Sequence, residues 1–142
     1  MMFVFDTNVI GEILKREHKD PRVVDWFISL PAEDCRTTSI NVAELMYGVA
    51  LLPMGHRRDA LSRTVQAFVA TYATRTLNFD CLAAAHYADI VASRRAQGRP
   101  IGVQDAMIAA IARSRGAVLA TRNVRDFDGT GVEVVDPWKR VA

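Results

Sequence analysis

Cysteine is scarce in this sequence: among 142 residues only Cys35 and Cys81 carry thiols, far apart and outside any CxxC pattern. That excludes a disulfide-stapled scaffold and leaves two reduced thiols as the expectation. Histidine is sparse as well, and His18, His56 and His86 are scattered with no metal-ligand spacing. No uncharged run approaches the roughly 20 residues of a membrane-spanning helix. Neither a Walker A motif nor a GxGxxG loop is present, so nucleotide-cofactor chemistry has no support. The segment before Asp6 has no basic stretch, which argues against a secretory leader and makes the cytoplasm the expected location. Repeats, low-complexity tracts and linkers are missing too, and one domain over residues 1–142 is expected.

What is present is ordinary for a globular chain, with half the residues hydrophobic and about a quarter charged. The net charge of +2 is too small to argue for nucleic-acid binding by itself. The kind of cation says more, because Lys occurs only at Lys15, Lys19 and Lys139 and the rest of the eighteen are Arg. Guanidinium pairs bidentately with phosphate oxygens.

Phe3-Val4-Phe5 reads as a short buried strand, and Asp6-Thr7-Asn8 offers helix-capping chemistry ahead of Val9, Ile10, Ile13 and Leu14. Pro21 opens a second helix that Pro31 stops. A strand is expected from Cys35 to Ser39, with Ser39 or Asn41 capping the helix that carries Val42 to Val49. A long helix follows from about Arg57 to Thr74, then a brief edge strand at Thr76 to Asn78. Asp80 caps a helix running to about Ala96, and Gly98 ends it. Residues 104 to 113 are almost wholly apolar after Asp105, the mark of a helix buried all round. Strands at Ala117 to Ala120 and Val132 to Val135 complete the chain. This alternation implies an α/β fold, a small mostly parallel sheet covered by helices on both faces.

Four acids fall at equivalent places in that layout. Asp6 follows the first strand, Glu44 lies in the opening turns after the second, Asp105 starts the buried helix, and Asp126 follows the strand ending at Ala120. In open α/β sheets the ligand crevice lies beyond the carboxyl ends of the strands, where these side chains are expected to converge. Gathered carboxylates repel one another, and a divalent cation relieves the conflict. Oxygen ligands without Cys or His favour Mg²⁺ or Mn²⁺. Such a site suits phosphodiester hydrolysis. Taken singly, each acid is better explained as a helix cap or a solvated charge.

The residues resemble the PIN-domain family, in particular the VapC- and FitB-like toxins of bacterial toxin–antitoxin pairs. The resemblance is carried by Phe5-Asp6-Thr7-Asn8, by Ser39 through Gly48, by Pro100 through Ala110, by Thr121 through Phe127, and by Asp136-Pro137-Trp138. It implies a Mg²⁺- or Mn²⁺-dependent endoribonuclease with Asp6, Glu44, Asp105 and Asp126 as the acidic set. Thr7, Asn8, Thr121 and Asn123 fall on the family's supporting positions. A homodimer held inactive by a small DNA-binding antitoxin is also implied. The alternative is a PIN-like binding subunit of such an antitoxin complex, with little or no cleavage. A receiver domain is excluded by Thr37-Thr38-Ser39, which offers no acceptor acid. An RNA substrate needs cations beside an acidic site, and chain proximity nominates Arg94, Arg95, Arg99, Arg122 and Arg125. Asp80, Asp89, Asp128 and Asp136 are expected as caps, turns or solvated charges, and Trp138 as a packing anchor.

Overall fold

The computed structural model describes residues 1–139. Five strands, β1 (Phe3–Phe5), β2 (Cys35–Thr38), β3 (Thr76–Leu77), β4 (Val118–Ala120) and β5 (Val134–Val135), form one sheet. Their spatial order is β3-β2-β1-β4-β5, and every neighbouring pair is parallel. Parallel neighbours need long crossovers, and helices supply most of them. Helices α1 (Thr7–Leu14) and α2 (Pro21–Ile28) link β1 to β2. Next, α3 (Ser39–Ala50) and α4 (His56–Thr71) lead to β3, and α5 (Cys81–Ala96) and α6 (Val103–Ser114) lead to β4.

Alternation along the central strands gives each face of the sheet its own core. Val4 and Leu119 pack with Ala83, Ile90, Ile108 and Phe127 under α5 and α6. Phe5 and Ala120 pack with Val9, Ile10, Val23, Trp26, Phe68 and Tyr72 on the opposite face, where Trp138 anchors the end of the described chain. The result is the three-layer α/β sandwich expected from the sequence. In α6, Ala106 and every residue from Ile108 to Ala112 are wholly buried, so the helix is enclosed except at its first turn and its end. Cys35 and Cys81 are free thiols. No helix among the described residues is long and apolar enough to cross a membrane.

Local boundaries differ from expectation where side chains compete for backbone partners. Thr38, rather than Ser39 or Asn41, caps α3, because its hydroxyl accepts the Asn41 backbone N–H at 3.1 Å. Helix α4 stops at Thr71, since Tyr72 turns into the core and its carbonyl accepts the Arg75 N–H in a following 3-10 turn. Strand β5 is only two residues long, because Gly129 and Gly131 turn the chain at φ +74° and +80° around a buried Thr130.

Strand order puts a switch point at the centre of the sheet. From β1 the chain first builds outward through β2 and β3, then returns to lay β4 on the other side of β1. The carboxyl ends of β1 and β4 therefore open a crevice that no crossover covers.

Candidate active site

Asp6 sits where β1 ends, and its backbone N–H extends the ladder to the Ala120 carbonyl at 3.0 Å. The side chain is buried and held by four donors. Oδ1 accepts the Thr7 backbone N–H at 2.9 Å and the Asn41 amide at 3.0 Å. Oδ2 accepts the Thr121 hydroxyl at 2.7 Å and the Asn8 amide at 3.5 Å. One carboxylate thus caps α1 and ties the ends of β1 and β4 to the start of α3.

Thr7 passes this order to the second acid. Its hydroxyl donates to Glu44 Oε1 at 2.9 Å while accepting the Asn41 amide at 3.1 Å. Asn41 and Glu44 are three residues apart on α3, so they share a helix face and both turn toward Asp6. Burial pushes the Glu44 carboxyl up, the Thr7 hydrogen bond opposes this, and the nearby Asp6 charge adds to it.

Asp105 occupies the first turn of α6, at the rim of its buried body. No hydrogen-bond donor among the described residues reaches its carboxylate. Burial, then the charges of Asp6, Asp126 and Glu44, push it up to about 6, and only Arg94 opposes them. Asp105 thus lies within electrostatic reach of the other three acids. Asp126 is exposed on the 3-10 turn Val124–Phe127 that follows β4.

The structure thus gathers Thr7, Asn8 and Thr121 around Asp6, links Glu44 to Asp6 through Thr7, and sets Asp105 within reach of the charges of Asp6, Asp126 and Glu44. Asn123 contributes through its backbone, whose N–H donates to the Thr121 hydroxyl at 3.1 Å. Asn41 was missed as a supporting residue: it is fully buried and bridges Asp6 and Thr7. Its signal was an amide three residues before Glu44 in an otherwise apolar helix start.

The cations divide. Arg95 and Arg125 are exposed, and Arg99 faces Asp128 at 3.6 Å. Arg122 is exposed with its guanidinium over the Trp138 ring. Chain position groups Arg94 with Arg95 and Arg99 as an RNA contact, and the structure overturns that for Arg94. Its side chain is buried at 5% exposure, and its Nε and Nη1 donate to backbone carbonyls. The remaining acids behave as capping and surface charges: Asp80 caps α5, Asp136 accepts the Trp138 N–H, and Asp89 pairs with Arg113.

The donor set fits a hard divalent cation. It offers carboxylate, hydroxyl and amide groups without His or Cys, and the half-buried Asp105 feels three like charges against the single opposing charge of Arg94. Among the described residues no three His, Cys, Asp or Glu side chains are already drawn into a ligand cage. Mg²⁺ needs none, because it retains waters and binds through one or two carboxylates.

A five-stranded parallel sheet flanked by six helices is a PIN-like α/β fold. Residues 3–132 match the PIN domain, and the chain belongs to the PIN-domain family. Toxin FitB of Neisseria gonorrhoeae is 41% identical over 138 residues, covering 96% of this chain and 99% of its own. The VapC ribonuclease Y4jK of Sinorhizobium fredii is 37% identical over 139 residues, covering 97% and 99%. Among solved structures, that of FitAB bound to an IR36 DNA fragment superimposes with a TM-score of 0.91 at 39% identity, covering 99% of both chains. The chain is thus a homologue of the VapC and FitB toxins of toxin–antitoxin systems.

Proposed function

We propose that this chain is a Mg²⁺- or Mn²⁺-dependent endoribonuclease and the toxin of a toxin–antitoxin pair. The observation that carries the reading is Asp105, a half-buried carboxyl pushed up to about 6 beside Asp6, Glu44 and Asp126. A charge arrangement this unfavourable in isolation becomes favourable when a cation is shared. Asp6 and Asp105 would hold the cation, with Glu44 and Asp126 completing the set through their remaining oxygens. A bound divalent ion would acidify a water and offset charge on the phosphoryl oxygens of the scissile bond.

The chain's own residues prepare that chemistry. Four donors fix the Asp6 carboxylate, so it does not have to be ordered at the moment of reaction. Thr7 fixes one Glu44 oxygen and leaves Oε2 free of any described partner. The ribonuclease name of the Sinorhizobium relative supports RNA as the substrate.

The DNA-bound FitAB assembly supports a small DNA-binding antitoxin as partner. An Arg or Lys from that partner, inserted among the acids, would pair with them and exclude both cation and substrate. The working unit is proposed to be a homodimer.

The test is cleavage of a defined RNA pool by wild type and Asp105→Asn in Mn²⁺, with the new ends mapped by sequencing. Cleavage by wild type and loss of most of it in the variant is expected. Equal rates would remove Asp105 from the site. An inert wild type that still binds the product of the adjacent small gene would make the chain a binding subunit.

A further inference from the structure

Arg94 is the only buried basic side chain among the described residues, and no carboxylate pairs with it. A guanidinium taken out of water is costly unless its donors are met. Here three backbone carbonyls meet three of its five N–H groups. Nε donates to the Arg99 carbonyl at 2.7 Å, and Nη1 donates to the Asp126 and Asp128 carbonyls at 2.9 Å each. The Arg94 carbonyl accepts the Arg99 N–H at 2.9 Å in return.

Those partners lie on two different paths into the site. Arg99 belongs to the link from α5 to α6, which delivers Asp105. The Asp126 and Asp128 carbonyls belong to the turn that presents Asp126. One guanidinium therefore fastens both segments to the end of α5. The second segment also lies tight against it: a Cβ at Gly129 would meet Gln97 Oε1 at 2.9 Å and Arg94 Cδ at 3.6 Å. An apolar side chain of similar length would fill the same space without the cost of burying a charge. What it would not supply is a rigid fork of donors joining the two segments.

We propose that Arg94 is a positioning residue, which fixes Asp105 and Asp126 relative to each other and so sets how well the acidic site takes a divalent cation. The proposal rests on the metal-dependent reading above. It gives Arg94 no contact with substrate or with the ion.

The test compares wild type with Arg94→Lys, which keeps the charge but loses the fork, and with Arg94→Gln, which loses both. Mn²⁺ binding is read directly from the free-ion electron paramagnetic resonance signal, beside unfolding midpoints and cleavage rates. Both variants should fold and bind Mn²⁺ about 10- to 100-fold more weakly, the usual effect of losing an outer-shell partner. Cleavage by Arg94→Lys should recover as Mn²⁺ is raised. Wild-type Mn²⁺ affinity in both variants would overturn the proposal and leave the metal site standing. Failure of both to fold would also overturn it, by giving Arg94 a purely structural role. A wild type that binds no Mn²⁺ would overturn the metal-dependent reading and the clamp with it.

Discussion

The Thr121 hydroxyl donates to the Asp6 carboxylate across 2.7 Å, from a position 115 residues further along the chain. The contact exists because β4 lies beside β1, with Phe5 in register with Ala120, so the residues following the two strands emerge together. The same hydroxyl accepts the Asn8 amide at 3.2 Å and the Asn123 N–H at 3.1 Å. One buried oxygen thus joins the end of β1, the first turn of α1 and the segment leading to Asp126.

Thr121→Val keeps the shape and removes that oxygen. It leaves Asp6 Oδ2 short of a partner in a buried place, and the Asn8 amide and the Asn123 N–H each one partner fewer in part-buried ones. A loss of about 1–3 kcal/mol is expected, the cost of stranding buried polar groups. Cleavage should fall with it, whereas Thr121→Ser should retain most of both. Urea unfolding and RNA cleavage measure the two. A valine variant as stable and active as wild type would reduce the Thr121 contact to a bystander.

Much of this site was legible because acids at strand ends follow from chain order alone. Asp6 after Phe3-Val4-Phe5 and Asp105 ahead of an apolar helix needed only periodicity and capping rules. Arg94 is not legible in the sequence, since beside Arg95 and Arg99 it looks like one more exposed cation. The clue was its spacing, for Arg94 continues the stripe Ala83, Tyr87, Ile90 along the covered face of α5. Spacing alone does not reveal that a turn 32 residues later supplies carbonyls to meet it. The α3 cap was misplaced for a related reason. Asn41 is the better capping type by propensity, but its side-chain oxygen accepts the Thr38 hydroxyl at 2.6 Å and its amide N–H groups go to Asp6 and Thr7.

Asp105 should govern the pH response of the metal-free protein. Its folded carboxyl titrates at about 6, above the ordinary 3.8, so the folded state holds this proton more tightly than the unfolded chain. The stability this gives is fully present below about pH 3.8 and is lost as pH rises through about 6. Asp105→Asn carries no such loss. Its stability advantage over wild type should therefore widen from about pH 4 to pH 7, by about 1–2 kcal/mol once solvent screening of a half-buried group is allowed for. Thermal unfolding of both proteins in chelator-treated buffer measures the gap. A gap that stays constant with pH would show that neither burial nor the other three acids raise the Asp105 carboxyl.

Adding the ion should reverse the penalty. Mn²⁺ at about 100 times its dissociation constant should stabilise wild type by roughly 2.7 kcal/mol through linkage alone. Asp105→Asn should gain much less. Because protons compete for the same oxygens, the affinity should rise as pH passes through about 6. EDTA should end cleavage and leave the far-UV circular dichroism unchanged, since both cores are built without the crevice. Cleavage that persists in rigorously metal-free buffer would rule out the mechanism.

An acidic crevice repels the polyanion it is proposed to cut, so cations at its edge must hold the RNA. Arg122 and Arg125 are the best placed. Both are exposed, and they follow Thr121 and flank the route to Asp126. Arg122 is also ordered in advance: its backbone N–H donates to Asn8 Oδ1 at 3.1 Å, and its guanidinium lies 4.9 Å from the centre of the buried Trp138 ring. A cation seated on an aromatic face keeps its N–H edge free for phosphate. RNA affinity against salt should be measured in Asp105→Asn, with and without Arg122→Gln plus Arg125→Gln. Each lost phosphate contact lowers the salt slope of single-strand binding by about 0.7, so the pair should flatten it by about 1.4. Binding should weaken by a similar factor for RNAs of different sequence, because phosphate contacts carry no base information. An unchanged slope would place the RNA track elsewhere, with Arg95 on the exposed side of α5 as the next residue to replace.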